Sequence, residues 1–118
     1  MADVAITNKK AGGPSDLDGV ACTVTTGASA DTYLIPNRNG RTLIFGRKPD
    51  VGAAVGTLAG PAVADWDNRT GPKALTFAAS QTPFSVFGPY PAKGYNDASN
   101  NLSLTFDVDG VEFFTVEY

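Results

Sequence analysis

The stretch NLSLTFDVDGVEFFTVEY, residues 101–118, carries the clearest signal of fold class. From Leu102 to Phe106, apolar residues alternate with polar ones, which is the period-two pattern of a strand with one buried face. Asp109-Gly110 then marks a turn, and a second run rich in Val, Phe and Thr follows it. We therefore expect residues 101–118 to form a β-hairpin with a primed turn.

Shorter runs of the same kind lie upstream, separated by Gly and Pro residues that are spread along the whole chain. The dipeptide Asn39-Gly40 separates two of them, so we expect Ile35 and Leu43 to lie in neighbouring hairpin strands. The alanine-rich stretch 51–66 contains several Gly residues and leaves room for one short helical turn at most. The predicted upstream strands cover residues 4–6, 20–25, 32–35, 42–45, 74–78 and 83–87.

The number and spacing of these runs predict one all-β domain over residues 1–118. We expect an antiparallel β-sandwich or a jelly-roll-like barrel of about seven to eight strands, with residues 1–19 forming a possible flexible N-terminal arm and loop. Its core is expected to be dominated by aromatic side chains: Phe45, Phe77, Phe84, Phe106 and Phe113.

The composition argues against catalysis and against several kinds of ligand. The chain has no His and one cysteine, Cys22, which excludes Ser-His-Asp and Cys-His chemistry and removes the commonest metal ligand. Its net charge of −3 disfavours binding to nucleic acid or to anionic membrane surfaces. No run approaches the length of a membrane-spanning helix. We expect a non-enzymatic protein without cofactor or metal, with no nucleic-acid or membrane partner.

Two pairs of aspartates have a spacing that a ligand-binding site could use. Asp107 and Asp109 precede Gly110, but the further oxygen ligands of a calcium loop are missing, so a turn is the better interpretation. Asp65 and Asp67 flank Trp66, an arrangement that a carbohydrate-binding module could use, with the ring as a stacking platform.

The aromatic residues near turns and chain ends indicate a protein interface. Trp66, Tyr90, Tyr95 and Tyr118 lie outside the alternating runs, and we expect them to be exposed. Trp and Tyr are enriched at interfaces because they combine a large apolar area with a polar group.

A family resemblance rests on Phe87-Gly88-Pro89-Tyr90, on the run NLSLTFD at 101–107, on the opening MADVAIT and on TLIF at 42–45. In these features the chain resembles the small head-decoration, or capsid cement, proteins of tailed bacteriophages that infect bacteria such as actinomycetes. The resemblance implies a β-sandwich, made in the host cytoplasm, that binds the major capsid protein on the outer surface of the virion as a homo-oligomer, commonly a trimer.

We accordingly expect the chain to bind and stabilise the capsid, with its N-terminal arm and its aromatic loops as anchors. The alternatives are another structural β module of the virion, such as a tail, neck or fibre part, and a carbohydrate-binding β-sandwich. The predicted interface residues are Asp3, Val4, Ile6, Lys9, Trp66, Tyr90 and Tyr95.

Overall fold

The computed structural model describes residues 3–10, 21–59 and 72–118, and the regular secondary structure of this part is almost entirely β-strand. A four-residue helix, α1 (Ala92–Tyr95), lies between the eighth and ninth strands. The strands, numbered in chain order, are β1 (Asp3–Ala5), β2 (Lys9–Lys10), β3 (Thr25–Thr26), β4 (Thr32–Pro36), β5 (Thr42–Arg47), β6 (Ala54–Leu58), β7 (Lys73–Phe77), β8 (Ser85–Phe87), β9 (Asn101–Phe106) and β10 (Glu112–Glu117).

The strands form two sheets. Sheet I has the order β1-β4-β9-β6-β7, and sheet II has the order β2-β10-β5-β8, with the two-residue β3 also paired to β10. Aromatic side chains from the two sheets contact each other, as in Tyr33 and Phe113, whose ring centroids lie 5.1 Å apart. The predicted all-β, sandwich-like fold is confirmed. Within the described residues, the two sheet orders contain nine strands, with β3 not counted, which is more than the seven or eight predicted.

Two of these nine strands lie outside the predicted runs: the two-residue β2, and β6 in the alanine-rich stretch, which had left room for one short helical turn at most. β6 pairs with β7 on one side and with β9 on the other, so it is an interior strand of sheet I. Ala54, Gly56 and Leu58 point inward and are buried. Small residues fit here because Gly56 lies directly against the side chains of Leu104 and Phe106. The tertiary packing therefore overrides the low strand propensity of Ala and Gly.

Both predicted hairpins are wrong. β9 belongs to sheet I and β10 to sheet II, so the Asp109-Gly110 turn carries the chain from one sheet to the other. Gly110 adopts a positive φ of 102°, and its backbone N–H donates to the carbonyl of Gly27 at 3.0 Å. The turn at Asn39-Gly40 likewise connects β4 of sheet I to β5 of sheet II. Alternation identifies the buried side of each strand, but a sandwich buries that side whether the next strand pairs beside it or lies opposite.

The aromatic core is only partly the predicted one. Phe77, Phe106 and Phe113 are buried as expected, but Phe45 and Phe84 are only half-buried, and their rings pack with Phe114 instead. The inward positions of β5 are occupied by Thr42, Ile44 and Gly46, which leaves Phe45 on the outer side. A Cβ at position 46 would lie 2.6 Å from the Phe77 ring, so glycine is required for Phe77 to pack here.

The N-terminal residues 3–10 connect the edges of the two sheets. β1 pairs in parallel with β4, and β2 pairs in parallel with β10. Between them, the Asn8 side chain donates to the Pro36 carbonyl at 2.7 Å and accepts from the Thr115 hydroxyl at 2.5 Å. Residues 1–2 and 11–19 of the predicted flexible arm and loop lie outside the described part, and its mobility stays a prediction.

Candidate interaction surface

The outward side of sheet II carries large apolar side chains. On β5 and β10 the inward residues are buried, apart from Glu117 at the end of β10, and the outward ones are half-buried. Val86 on β8 lies beside Phe45 in the register and is 55% exposed. We call this surface the aromatic face; its members are Leu43, Phe45, Phe84, Val86, Phe114 and Val116, bordered by Arg47 and Glu112.

Three phenylalanines form the centre of the aromatic face. The rings of Phe45 and Phe114 stack with centroids 4.9 Å apart and planes 5° from parallel. Phe84 meets Phe114 edge-on, with centroids 5.0 Å apart and an angle of 69° between the planes. Edge-on contacts of this kind are a favoured aromatic geometry, worth about 0.5–1.5 kcal/mol each beyond the area they bury. The cluster is thus ordered within one copy although its rings are only half-buried.

Arg47 fixes one border of the aromatic face. Its guanidinium carbon lies 4.3 Å from the centroid of the Phe84 ring, which is a cation–π distance. Its Nε donates to Glu112 Oε1 at 2.8 Å, and its Nη1 donates to the Thr82 carbonyl at 2.7 Å. The Arg47–Glu112 pair is partly exposed, so its net contribution to the free energy of folding is small. Its main effect is to hold the guanidinium plane over Phe84.

A groove of about 340 Å³ lies beside the aromatic face. Phe114 lines both surfaces, and the groove is also lined by Val4, Ile6, Lys9 and Cys22. The structure therefore brings three of the predicted interface residues, Val4, Ile6 and Lys9, together next to the aromatic cluster. Val4 and Ile6 also pack against the hydrophobic core of their own chain. Asp3 lies on β1 at the edge of sheet I and is exposed.

The predicted tyrosine anchors lie in a different place. Tyr90 and Tyr95 contact each other with ring centroids 5.5 Å apart, and Tyr95 packs against the core. Tyr90 is only 7% exposed, so the expectation of an exposed ring is wrong for this residue, whereas Tyr118 is half exposed as expected. Burial, together with the neighbouring Tyr95, raises the pKa of Tyr90 to about 12. Trp66, with Asp65 and Asp67, lies outside the described residues.

The two aspartates of the last turn have structural partners. Asp107 Oδ1 accepts from the backbone N–H of Val55 at 2.8 Å, and Asp109 Oδ1 accepts from that of Ser29 at 2.6 Å. The bond from Ser29 lowers the pKa of the Asp109 carboxyl. Within the described ranges, no group of three or more His, Cys, Asp or Glu side chains is arranged to hold a metal ion. In the same ranges no helix is long and apolar enough to cross a membrane.

Sequence reasoning missed the aromatic face, although a signal for it is present. Three strands contain adjacent apolar residues, Leu43-Ile44-Phe45, Val86-Phe87 and Phe113-Phe114, so both sides of sheet II are apolar. Consecutive apolar residues in a strand indicate a sheet that is covered on both faces. The alternation in β9 has no such doubling, and its outward positions are polar.

Comparison with other proteins gives no relative: no protein-family model, no curated protein and no solved structure matches this chain.

Proposed function

We propose that this chain is a structural protein of a tailed-bacteriophage virion that binds the outer surface of the capsid and stabilises it. Two things support the proposal: the resemblance of residues 80–118, and of the opening residues, to capsid-decoration proteins, and the aromatic face on a two-sheet scaffold. We favour an open sandwich over a jelly-roll-like barrel. In the described part, the edge strands β7 and β8 each pair on one side only.

The observation that carries the proposal is the aromatic face. Four further apolar side chains surround the stacked pair Phe45–Phe114 on the outside of sheet II. Aromatic residues and Arg are enriched at the centres of protein interfaces, where their large area is removed from water. Side chains held by strands keep their positions better than side chains on loops. The surface is therefore suited to contact with a neighbouring protein subunit of the particle.

Such a contact would stabilise a capsid by mass action. A protein that binds the assembled shell, but not its separated subunits, shifts the equilibrium toward the assembled form. Because a shell repeats each site many times, modest affinity at one site is sufficient. We propose that the groove residues Val4, Ile6 and Lys9 contact the major capsid protein, and that the aromatic face contacts an adjacent subunit of the outer layer.

The test is binding to heads of the phage that encodes the chain. Purified protein is mixed with expanded, undecorated heads, and cosedimentation and the temperature of head disruption are measured. We expect saturable binding and a higher disruption temperature. Lys9→Glu should weaken binding, since it reverses a charge beside the groove, whereas the matched control Lys73→Glu on β7 should bind like the wild type.

Absence of cosedimentation would contradict the proposal. Binding to purified tails or fibres instead of heads would indicate a different virion module. A specific signal on a glycan array, without head binding, would favour the carbohydrate-binding alternative.

A further inference from the structure

The outward residues of β5 and β10 are matched in pairs across the two strands. The register places Arg47 beside Glu112, Phe45 beside Phe114, and Leu43 beside Val116. Each pair joins side chains of complementary chemistry: opposite charges, two aromatic rings and two aliphatic chains. The same matching would serve a contact in which β5 of one copy faces β10 of another.

A twofold axis produces that contact. Consider an axis that runs parallel to the strands, midway between β5 and β10, in the plane of the interface. Rotation by 180° about this axis places β5 of each copy over β10 of the other. Arg47 of each copy then lies opposite Glu112 of the other, and Phe45 lies opposite Phe114. Interfaces of this isologous kind require a surface that is complementary to itself. The aromatic face meets that requirement in charge and in side-chain type.

We propose that the aromatic face binds a second copy of this chain about this twofold axis. The inference rests on the proposed function, because it identifies the adjacent subunit of the outer layer as a second copy of this chain. Charge complementarity selects the occupant, because two Arg47 and two Glu112 side chains alternate at one end of the contact. Electrostatic matching of this type favours the correct partner and register more than it adds affinity.

The size of the surface indicates how strong the contact is. Strands about 4.8 Å apart with a rise of about 3.3 Å per residue give the fifteen residues of β10, β5 and β8 an outward area of roughly 240 Å². A stable complex in dilute solution usually buries about 800 Å² on each partner. The dimer is therefore weak in dilute solution and becomes populated at high concentration. Copies held side by side on a particle would have that high effective concentration.

The β8 edge of sheet II is a less suitable place for a second copy. β8 has three residues and is flanked by Pro83 and Pro89, neither of which has a backbone N–H to donate. Short edge strands bordered by proline resist the addition of a further strand. Face-to-face packing is thus favoured over continuation of the sheet.

The test uses charge reversal and sedimentation equilibrium of the whole chain. We expect the wild type to show a reversible monomer–dimer equilibrium. Arg47→Glu places four negative charges at one end of the twofold contact, and Glu112→Arg places four positive charges there. Each variant alone should dimerise at least about tenfold more weakly, since like charges facing each other are unfavourable.

A mixture of the two variants is the decisive arm. In the heterodimer, the Arg47→Glu copy presents two carboxylates at positions 47 and 112, and the Glu112→Arg copy presents two guanidinium groups at the same positions. Opposite charges face each other again, so affinity should return to within a few-fold of the wild type. Arg38→Glu, an exposed control of equal charge change that leaves the aromatic face intact, should form homodimers like the wild type, and its heterodimer with Glu112→Arg should not reach the wild-type affinity. Each variant is first checked by circular dichroism for the wild-type fold.

A second measurement needs only the wild type. Because facing opposite charges are screened by salt, the dissociation constant of the dimer should rise between low and high ionic strength. A monomer at all concentrations up to about 1 mM, a trimer, or a dimer that is indifferent to the charge reversals would each overturn the inference. Head binding is measured separately. Binding to heads without dimerisation refutes the inference alone, and dimerisation without head binding refutes only the proposed function.

Discussion

The outward sides of the two sheets differ sharply, although their inward sides follow the same alternation. On sheet I, the side chains of Thr32, Thr105 and Thr57 lie in one row across three neighbouring strands. Sheet II carries the stacked Phe45 and Phe114 at its centre instead. Threonine fits a strand and still contacts water favourably, whereas a half-buried Phe leaves apolar area exposed. The outward side of sheet I is therefore mainly polar, although Leu34 and Val55 also lie on it, whereas that of sheet II has an aromatic centre suited to a partner.

The greatest loss of stability is expected on the core side of sheet II, and a much smaller one on its aromatic face. Phe113 is fully buried and Phe114 is half-buried, although they are consecutive residues of β10. Phe113→Ala should lower the free energy of unfolding by about 3–5 kcal/mol, because it opens a cavity beside Tyr33 and Phe106. Phe114→Ala should cost clearly less, about 1–2 kcal/mol, since its ring already contacts water. Urea unfolding of the two variants measures both values.

Equal losses for the two variants would contradict the contrast between the two sides, because Phe114 would then be part of the core. If the loss of unfolding free energy in Phe114→Ala instead depended on protein concentration, the contrast between the two sides would be strengthened. Such a dependence is expected if this ring is buried in a contact between copies.

The sequence predicted the strands better than it predicted their partners. The alternation in β4, β7 and β9 identified the buried residues because one side of each strand faces the core. Pairing depends on the whole sandwich, and the turns at Gly40 and Gly110 are compatible with a hairpin or with a passage between sheets. β6 was missed because Gly56 is accommodated against the large side chains of Leu104 and Phe106 on the neighbouring strand β9, which no local pattern reveals.

The candidate surface was predictable only in part. The strand predicted at 83–87 is present as β8, and the structure puts Val86, together with Phe84 just before the strand, on the outer side and Phe87 against Phe77 on the inner side. The groove residues Val4, Ile6 and Lys9 were chosen from a family resemblance, which says nothing about their position beside Phe114. That proximity arises because β2 joins the far end of β10, a contact over more than a hundred residues of sequence.

An intermediate effect is expected at the connection between the two sheets. Asn8 bonds to Pro36 at the end of β4 in sheet I and to Thr115 in sheet II. Asn8→Ala leaves the Thr115 hydroxyl, whose residue is 2% exposed, without this partner. An unmade hydrogen bond at a buried polar group costs about 1–3 kcal/mol. Thermal unfolding should show the loss, with Asn39→Ala, an exposed turn residue, as the matched control.

If Asn8→Ala and Asn39→Ala were equally mild, the N-terminal segment would be a dispensable addition to the sheets. Its groove and the adjacent aromatic face would then have to be treated as independent surfaces.

A change at the polar border of the aromatic face should have the mildest effect. Arg47→Lys keeps the positive charge but loses the planar group that lies over Phe84 and donates to both Glu112 and Thr82. Lysine does not replace arginine where stacking and several directed donors are used together. We expect a loss of about 0.5–1 kcal/mol, since the pair is partly exposed. The matched control is Arg41→Lys, at an exposed position just before β5.

A structural readout distinguishes this role from a general loss of stability. Ring-proton chemical shifts of Phe84 depend on its edge-on contact with Phe114. They should change in Arg47→Lys, while those of Phe113, on the inner side of the same strand as Phe114, should stay close to the wild type. Unchanged Phe84 shifts would mean that the ring holds its place without Arg47. The order of the aromatic face would then come from the stacked phenylalanines alone, and Arg47 would act only through its charge.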